Sequence, residues 1–417
     1  MGDDIGRELE VEVGKIAHGG ISVARHEGRV IFVNDAIPGE RVVARVSDDR
    51  KKRFWRADTV RVIEASEHRR EHVWGAASVD RDPAERAGGA EFGHIELAHQ
   101  RELKAQVLME ALDRTGGIDA DTLADALGAD RLTIEGLPGE PDGTGWRTRV
   151  RLNVDEQGRL GPYAARSHRV IPVNDLPLAT PEVQAAAPLG ERFAGEPHVD
   201  VLAPSVGSAR LIIGKQARST ITERVGEREF ALADSGFWQV HRHAASTLTA
   251  AVQQAVDPAQ FDPASANLDL YGGVGLLAAA LGDRFGTGLR ITSVESDAIA
   301  TDYAAENLAE WVGARAVTSR VEAFLRQLAA GSAPERARLE SATVVLDPPR
   351  AGAGLDVVDA LASLRPAQLV YVACDPVAFA RDAGALRERG YRLASLRSFD
   401  LFPNTHHVEA VASLVRE

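Results

Sequence analysis

A glycine-rich turn in the C-terminal half of the chain could bring a ligand close to the backbone. The segment DLYGGVGLLA, Asp269 to Ala278, places three glycines between an apolar run and a helix-like run of small residues. Ligands of doubly wound sheets bind beyond the carboxyl ends of the strands, where such turns lie. Glu295 ends the next apolar run, where a carboxylate can hold the ribose hydroxyls of an adenosine cofactor. The turn fits a nicotinamide cofactor as well as S-adenosylmethionine, and a tight turn without a ligand is the alternative.

A second, more rigid turn follows another apolar run, at LDPPR. Asp347 would lie at the carboxyl end of a strand, on the ligand side of the sheet, and two prolines fix the backbone after it. A base or a cofactor could lie against this turn, and the alternative is a turn that only ends a strand. Some methyltransferases of exocyclic amines have an aromatic residue after a similar turn. Arg350 stands in that place here, which argues against their chemistry.

The only cysteine, Cys374, follows the apolar run in YVACDP. A lone cysteine is more often a small buried apolar residue than a nucleophile, but beside the two turns it has a specific use. Uracil C5 is too weak a nucleophile to take a methyl group until a thiolate adds to C6. A base must then remove the C5 proton, and Glu409 in HHVEAVASL is the candidate. His406 and His407 are the alternatives, and a surface glutamate on an edge strand is the plainer interpretation.

This chemistry needs several strands that end at one edge of a sheet. From about Phe237, apolar strand-like runs alternate with helical runs, which indicates an α/β doubly wound sheet covered on both faces. Residues 8–63 hold about five short strand-like runs between glycine and proline turns, which predicts a small closed β-barrel of the OB type. Residues 131–235 are mostly β in pattern. We therefore predict three domains, 1–64, 65–235 and 236–417, with a helix near 98–115 that packs on the last.

A basic cluster with aromatic neighbours lies in the predicted barrel. Its members are Arg50, Lys51, Lys52, Arg53, Phe54 and Trp55. Cations for phosphates and rings for base stacking are what a groove for single-stranded nucleic acid needs. The alternative is a barrel edge that is kept soluble by charge. Because the net charge of the chain is −13, a nucleic-acid surface must be a local patch on an acidic body.

The composition excludes several classes of protein. With a single cysteine, the chain has no internal disulfide, no cysteine-based zinc site and no iron–sulfur cluster on its own thiolates. No apolar run approaches about 18 residues, the length that a transmembrane helix needs. The acidic start MGDDIGRELE is not a signal peptide. We therefore expect a cytoplasmic monomer without a metal site and without membrane contact.

The motifs FWQVH, DLYGGVG, VESD, LDPPRAG, ACDP and HHVE, in this order, resemble the RNA uracil-5 methyltransferase family over nearly the whole chain. The resemblance implies a TRAM barrel, a central domain and a Rossmann-like domain that binds S-adenosylmethionine. It implies methylation of C5 of a uridine in structured RNA, tRNA or rRNA. Cys374 would be the nucleophile and Glu409 the proton acceptor. The implied cofactor-binding residues are Gln239, Tyr271, Gly273, Gly275, Glu295, Glu322 and Asp347.

The chain departs from the family pattern at its cysteines. Gly272 stands where the family usually has a cysteine in the glycine-rich turn. Many members also hold a four-iron cluster through a Cys-x5-Cys-Gly-Gly-Cys run and one later cysteine. Here those places are taken by Arg81, Ala87, Ala90 and Leu176. The resemblance therefore implies a member without the cluster.

Three other functions remain open from the sequence. A nicotinamide-dependent oxidoreductase would explain the glycine-rich turn and Glu295, but not LDPPR, Cys374 or the barrel. A cytosine-5 RNA methyltransferase would use the same nucleophile. A catalytically idle RNA-binding protein would keep the basic cluster without needing Cys374.

Overall fold

The N-terminal part of the chain is a closed five-stranded barrel. The computed structural model describes residues 4–51, 53–129 and 131–417. The barrel strands are β1 (Glu8–Ala17), β2 (Ile21–His26), β3 (Arg29–Asn34), β4 (Arg41–Asp48) and β5 (Phe54–Glu64), paired in the order β1-β2-β3-β5-β4. Alternation in β1 buries Leu9, Val11 and Val13 and leaves the glutamates between them in water. The predicted barrel is confirmed.

The middle of the chain contributes to two different sheets. After two short 3-10 turns, Gly75–Ala77 and Pro83–Glu85, come α1 (Leu97–Arg114), α2 (Ala120–Leu127) and β6 (Ile134–Gly136). Next come β7 (Arg149–Val154), β8 (Leu160–Gly161), α3 (Pro181–Ala186), β9 (His198–Leu202), β10 (Arg210–Ile213), β11 (Thr220–Val225) and β12 (Arg228–Ala233). Strands β7 to β10 form one four-stranded sheet and β11 pairs with β12, whereas β6 joins the C-terminal sheet.

The C-terminal part is a mostly parallel sheet with helices on both faces. Its helices are α4 (Ala244–Ala255), α5 (Leu276–Phe285), α6 (Ala298–Asn307), α7 (Val321–Ala329), α8 (Ala333–Ala337), α9 (Leu355–Leu364) and α10 (Pro376–Glu388). Its strands are β13 (Asn267–Leu270), β14 (Arg290–Glu295), β15 (Gly313–Thr318), β16 (Thr343–Leu346), β17 (Gln368–Ala373), β18 (Tyr391–Asp400) and β19 (Glu409–Arg416). In β16, Val344 and Leu346 pack into one apolar layer and Val345 into the other, as expected for a strand that is buried on both sides.

The strand order of this sheet is β15-β14-β13-β16-β17-β19-β18-β6. Strand β19 runs antiparallel between β17 and β18, and β6 adds in parallel at the edge of β18. Helix α1 packs on α10, and a Cβ on Gly116, just beyond α1, would lie 2.8 Å from the carbonyl oxygen of Ala380. Residues 97–136 thus pack with the C-terminal sheet, although they lie inside the predicted span 65–235. The domain limits themselves stay a prediction.

The positions that would carry cluster cysteines hold an apolar core instead. Ala87, Ala90 and Leu176 are buried in one cluster with Trp74 and Trp146. Their side chains have no atom that can bind iron, so these residues do not fit an iron–sulfur cluster. Within the described ranges, no helix is long and apolar enough to cross a membrane.

Candidate active site

A cavity of about 710 Å³ opens where the strands of the C-terminal sheet end. Seven of the nine predicted catalytic and cofactor residues line it: Gln239, Tyr271, Gly273, Glu295, Asp347, Cys374 and Glu409. The other two, Gly275 and Glu322, are not among its lining residues. Gly275 caps the start of α5 with its backbone in the left-handed region, and Glu322 lies in the first turn of α7, 3.6 Å from Arg320. The parallel strands thus bring together motifs that are far apart in the sequence.

The glycine-rich turn and Glu295 form one wall. A Cβ on Gly272 would lie 2.0 Å from Ser293 Oγ, whereas a Cβ on Gly273 would meet nothing within 4 Å. The Gly273 N–H donates to Glu295 Oε2 at 3.1 Å, and the Asp297 N–H donates to the other carboxylate oxygen at 2.8 Å. Tyr271 has a φ of 62°, an uncommon conformation for a tyrosine that often marks a functional site. The backbone at Gly273 is therefore open toward the cavity, with a fixed carboxylate beside it.

Cys374 and Glu409 are neighbours because of strand register. Ala373 at the end of β17 lies opposite Ala410 in antiparallel β19, so the next residue of one strand lies beside the preceding residue of the other. Glu409 is 4% exposed and Cys374 is half-buried. Burial, with help from Asp347, raises the pKa of Glu409 well above its usual range. The pair is thus held together on one wall of the cavity and is largely shielded from water.

Burial makes Cys374, Asp347 and Asp269 resist ionisation. Burial raises the pKa of Cys374 to about 12, and the carboxyls of Glu409 and Asp347 add to the shift while Arg350 opposes it. Burial and the nearby Asp269 raise the pKa of Asp347. Asp269 is fully buried and its pKa is raised to about 7, again mainly by burial. In the free protein the thiol therefore keeps its proton, and positive charge brought into the cavity would favour the ionised forms.

Arg147 also lines the cavity. Arg147, Arg149 and Arg151 alternate in the sequence, but β7 begins only at Arg149, so Arg147 lies outside the strand. Arg149 pairs with Glu223 at 3.2 Å and Arg151 with Asp200 at 2.7 Å. The Nε of Arg147 is buried and has no hydrogen-bond partner among the described residues, and burial lowers its pKa. Backbone bridges to Ala179 and His241 fix the position of Arg147, and the local sequence does not reveal these bridges.

The two histidines before β19 differ in their surroundings. His407 lines the cavity, and its Nε2 lies 3.3 Å from the guanidinium of Arg350. Burial and the charges of His406 and Arg350 lower the pKa of His407 to about 3, so its ring is neutral. His406 instead lies 3.7 Å from Glu91, outside the lining of this cavity. Of these two alternatives to Glu409 as a base, only His407 faces the cavity.

A buried ion pair fixes the loop that leads to Glu409. Lys104 of α1 donates from Nζ to Asp400 at 2.6 Å and to the carbonyl of Phe402 at 3.1 Å. Both charged side chains are completely buried. Asp400 also accepts from Arg101 at 3.2 Å, so the loss that leaves an uncompensated buried charge is that of Asp400, which costs about 3–5 kcal/mol in comparable cases. The pair ties a helix from the middle of the chain to the entrance of β19.

The predicted RNA-binding cluster is only partly as expected. Arg50, Lys51 and Arg53 are exposed at the turn between β4 and β5, and Lys52 lies outside the described residues. Trp55 corrects the prediction: it is 5% exposed in the barrel core, and the Arg29 guanidinium lies 4.0 Å from its ring centre. A ring in that position has no face free for a base. The alternation of residues in β5 places Trp55 on the same inward face as Ala57. This alternation is the feature of the sequence that could have predicted the burial of Trp55.

Comparison with known proteins agrees with this architecture. Residues 4–60 match the TRAM domain model, and residues 255–417 match the model of tRNA (uracil-5-)-methyltransferases. An uncharacterised RNA methyltransferase of Streptomyces avermitilis is 38% identical over 98% of each chain. One of Bifidobacterium longum is 33% identical over 98% of this chain and 97% of its own. The 23S rRNA (uracil(1939)-C(5))-methyltransferase RlmD of Shewanella sediminis is 28% identical over 97% and 95%.

A solved structure shows the same fold over the full length. The tRNA (uracil-54, C5)-methyltransferase of Pyrococcus abyssi, in complex with S-adenosyl-L-homocysteine, aligns with a TM-score of 0.67. The alignment covers 98% of this chain and 100% of that one at 20% identity. Full-length similarity to RNA methyltransferases, together with the two matched models, shows that the chain belongs to the RNA uracil-5 methyltransferase family of S-adenosylmethionine-dependent enzymes.

Proposed function

We propose that this enzyme methylates C5 of a uridine in tRNA or rRNA, with Cys374 as the nucleophile and Glu409 as the base. The observation that carries the proposal is their pairing across β17 and β19 on the wall of the cavity that also contains the glycine-rich turn. Methylation at C5 needs a nucleophile for its first step, addition at C6, and a base for its last step, removal of the C5 proton. A thiol beside a carboxyl supplies both groups.

The cavity fits S-adenosylmethionine in its donor set. The open backbone at Gly273 lets a ligand approach, and Glu295 offers a carboxylate to ribose hydroxyls. Gln239 and Asp347 line the same space and can hold the amino-acid end, with Tyr271 beside them. When bound, the cofactor supplies an electrophilic methyl group on a positively charged sulfur. Glu322, which lies outside the lining, is the weakest of the predicted contacts.

Cys374 must give up its proton when the target base is in place, and this proton goes to water, which the half-buried thiol can still reach. Its pKa of about 12 in the free protein is a consequence mainly of burial, and Arg350 already lowers it. The Cys374 thiolate forms a bond to C6, and the C5–C6 double-bond electrons move toward C5. C5 then takes the methyl group. The target base must leave its stack to reach the thiol, because C5 and C6 are attacked from the face of the ring.

Glu409 completes the reaction. After methylation C5 still carries a hydrogen, and Glu409 takes it as a proton. The electrons of that C–H bond re-form the C5–C6 double bond, and the C6–S bond breaks to return the Cys374 thiolate. Burial raises the pKa of Glu409, which makes the ionised carboxylate a stronger base than one in water.

Arg147 supplies a hydrogen-bond donor for the uracil ring. Thiolate addition puts negative charge on a uracil carbonyl oxygen, and a buried guanidinium with an unpartnered Nε is suited to stabilise it. Arg218 and Arg350 also line the cavity, and Arg350 is close enough to Cys374 to lower the pKa of its thiol.

Labelled methyl transfer tests the proposal. The enzyme is incubated with [methyl-³H]S-adenosylmethionine and RNA from a strain that lacks it, and the RNA is digested to nucleosides. We expect label in 5-methyluridine. Label in 5-methylcytidine would assign the enzyme to cytosine, and the absence of label with a cofactor-binding protein would indicate an idle RNA binder.

A further inference from the structure

A second cavity, of about 500 Å³, lies between the end of β5 and the segment that follows the barrel. Its lining is rich in cationic and imidazole side chains: Arg61, Arg69, Arg70, Arg81, His72 and His94. Glu71 and Asp80 are the two acidic residues among the described lining residues, and both are exposed. The cavity is therefore electropositive on a protein whose net charge is −13.

Three of the four arginines have positive charge to spare. Arg69 is neutralised, because it pairs with the buried carboxylate of Glu40 at 2.5 Å. Arg70 donates to the carbonyl of Gly93 and to the side chain of Asn404, and Arg81 donates to the carbonyl of Glu85 at 3.0 Å. Arg61 is exposed at the rim. In the described part of the chain, none of these three has a carboxylate partner within 4 Å.

His94 supplies an independent sign that this cavity receives a ligand. It is 5% exposed, and its Nε2 is buried without a hydrogen-bond partner in the described residues. The neighbouring His72 differs, since its Nδ1 accepts the Trp74 N–H at 3.0 Å. A buried polar atom without a partner costs free energy unless a ligand meets it.

We propose that this cavity binds a phosphate group of the RNA backbone, which rests on RNA being the substrate as proposed above. Guanidinium groups match phosphate oxygens in geometry and charge. An RNA phosphate is favoured over free phosphate by the position of the cavity. Arg61 belongs to the barrel, and Arg70 reaches Asn404, in the loop that leads to Glu409. An RNA strand held here passes beside the active-site loop.

The connection to the active site runs through one amide. Asn404 Oδ1 accepts from Arg70 at 2.6 Å and from Gln100 at 2.9 Å, and its amide nitrogen donates to the carbonyls of Asp142 and Gly143. Asn404 is fully buried. A phosphate on Arg70 is therefore anchored to the same network that fixes the loop before β19.

The test is the salt dependence of RNA binding by the full-length double variant Arg61→Ala/Arg81→Ala. Both residues are exposed, so the fold should hold. Binding of a fluorescein-labelled RNA hairpin with uridines in its loop is followed by anisotropy over a range of salt. We expect about tenfold weaker binding at low salt, and a slope of log K against log salt that is smaller by about 0.7–0.9 per lost phosphate contact. The matched control is Arg392→Ala, because Arg392 is an exposed arginine at the start of β18. This substitution should leave both the RNA affinity and the salt slope unchanged.

Further arms separate the possible outcomes. Arg61→Lys/Arg81→Lys should keep most of the salt slope, because the charge remains. An unchanged slope in the alanine variant overturns the proposal. It is also overturned if inorganic phosphate raises the melting temperature of the wild type but not of the alanine variant while RNA affinity is the same, since the cavity then holds a free anion. A reduced slope in an enzyme that transfers no methyl group to uridine supports this site and contradicts only the proposed function.

Discussion

The candidate active-site cavity and the basic turn of the barrel hold ionisable groups in opposite environments. In the cavity, Glu409 is buried and Cys374 and Asp347 are half-buried, and burial pushes all three toward their neutral forms. At the barrel turn, the side chain of Arg50 is 81% exposed and pairs with Asp48, whose pKa falls because of that partner. A buried group changes its protonation when a ligand changes its surroundings, whereas a solvated group contributes mainly a screened field. Single substitutions should therefore act on chemistry in the first region and on ionic association in the second.

The largest effect is expected from Cys374→Ala. This variant has no nucleophile, so methyl transfer and any covalent adduct with RNA should be abolished. Calorimetry should show cofactor affinity close to that of the wild type, because Gln239 and Glu295 are unchanged. Residual turnover well above background would contradict covalent catalysis and weaken the contrast between the two regions.

Glu409→Gln should stop the reaction at a later point. Thiolate addition and methyl transfer remain possible, but the C5 proton stays, so the methylated RNA should remain attached through denaturing electrophoresis. Wild-type enzyme should form a similar adduct with RNA that contains 5-fluorouridine, because fluorine at C5 cannot leave as a proton, and Cys374→Ala should not. Normal turnover by Glu409→Gln would mean that the base lies elsewhere, and His407 would be the next residue to replace.

Arg147→Ala should have an intermediate effect. Loss of one buried donor to a developing oxyanion lowers kcat by about 10²–10³-fold in comparable sites. Arg151→Ala is the matched control, since Arg151 is exposed and pairs with Asp200 outside the cavity. Single-turnover rates at saturating RNA would measure the difference. Equal rates for the two variants would remove Arg147 from the chemistry.

The smallest effect is expected at the barrel turn. Replacing the four basic residues 50–53 with alanine should weaken RNA binding modestly and flatten its salt dependence, while cofactor affinity stays the same. Anisotropy titrations at several salt concentrations would measure both. An unchanged salt slope would assign the turn to a solvated barrel edge that is kept soluble by charge.

The sequence was most informative where chemistry restricts the residue type. The glycine-rich turn, Asp347 and Cys374 follow the carboxyl ends of parallel strands, which meet at one edge of the sheet, and antiparallel β19 begins at that edge with Glu409. Side-chain direction was harder. Trp55 stood next to four basic residues and was expected on the surface, yet the alternation of β5 turns it inward with Ala57.

Long-range pairing was beyond what the local pattern could predict. Arg147 enters the cavity because its backbone bridges two distant segments, and no periodicity in its own neighbourhood indicates this. The same holds for β6, whose three residues pair with a strand near the other end of the chain. Short segments of this kind take their structure from their partner rather than from their own propensity.

The pairing of β6 with β18 also has consequences for the synthesis of the polypeptide and for the choice of fragments to express. Helix α1 and β6 leave the ribosome early but find their partners, α10 and β18, only when synthesis is nearly complete. Until then the apolar side of α1 lacks its final packing partner. Nascent chains with such unpacked apolar surfaces need protection from aggregation. A fragment that starts at residue 236 would carry β18 as an open edge and would lack the lysine that neutralises buried Asp400. For expression of the catalytic part alone, the useful starting point is therefore upstream of Leu97.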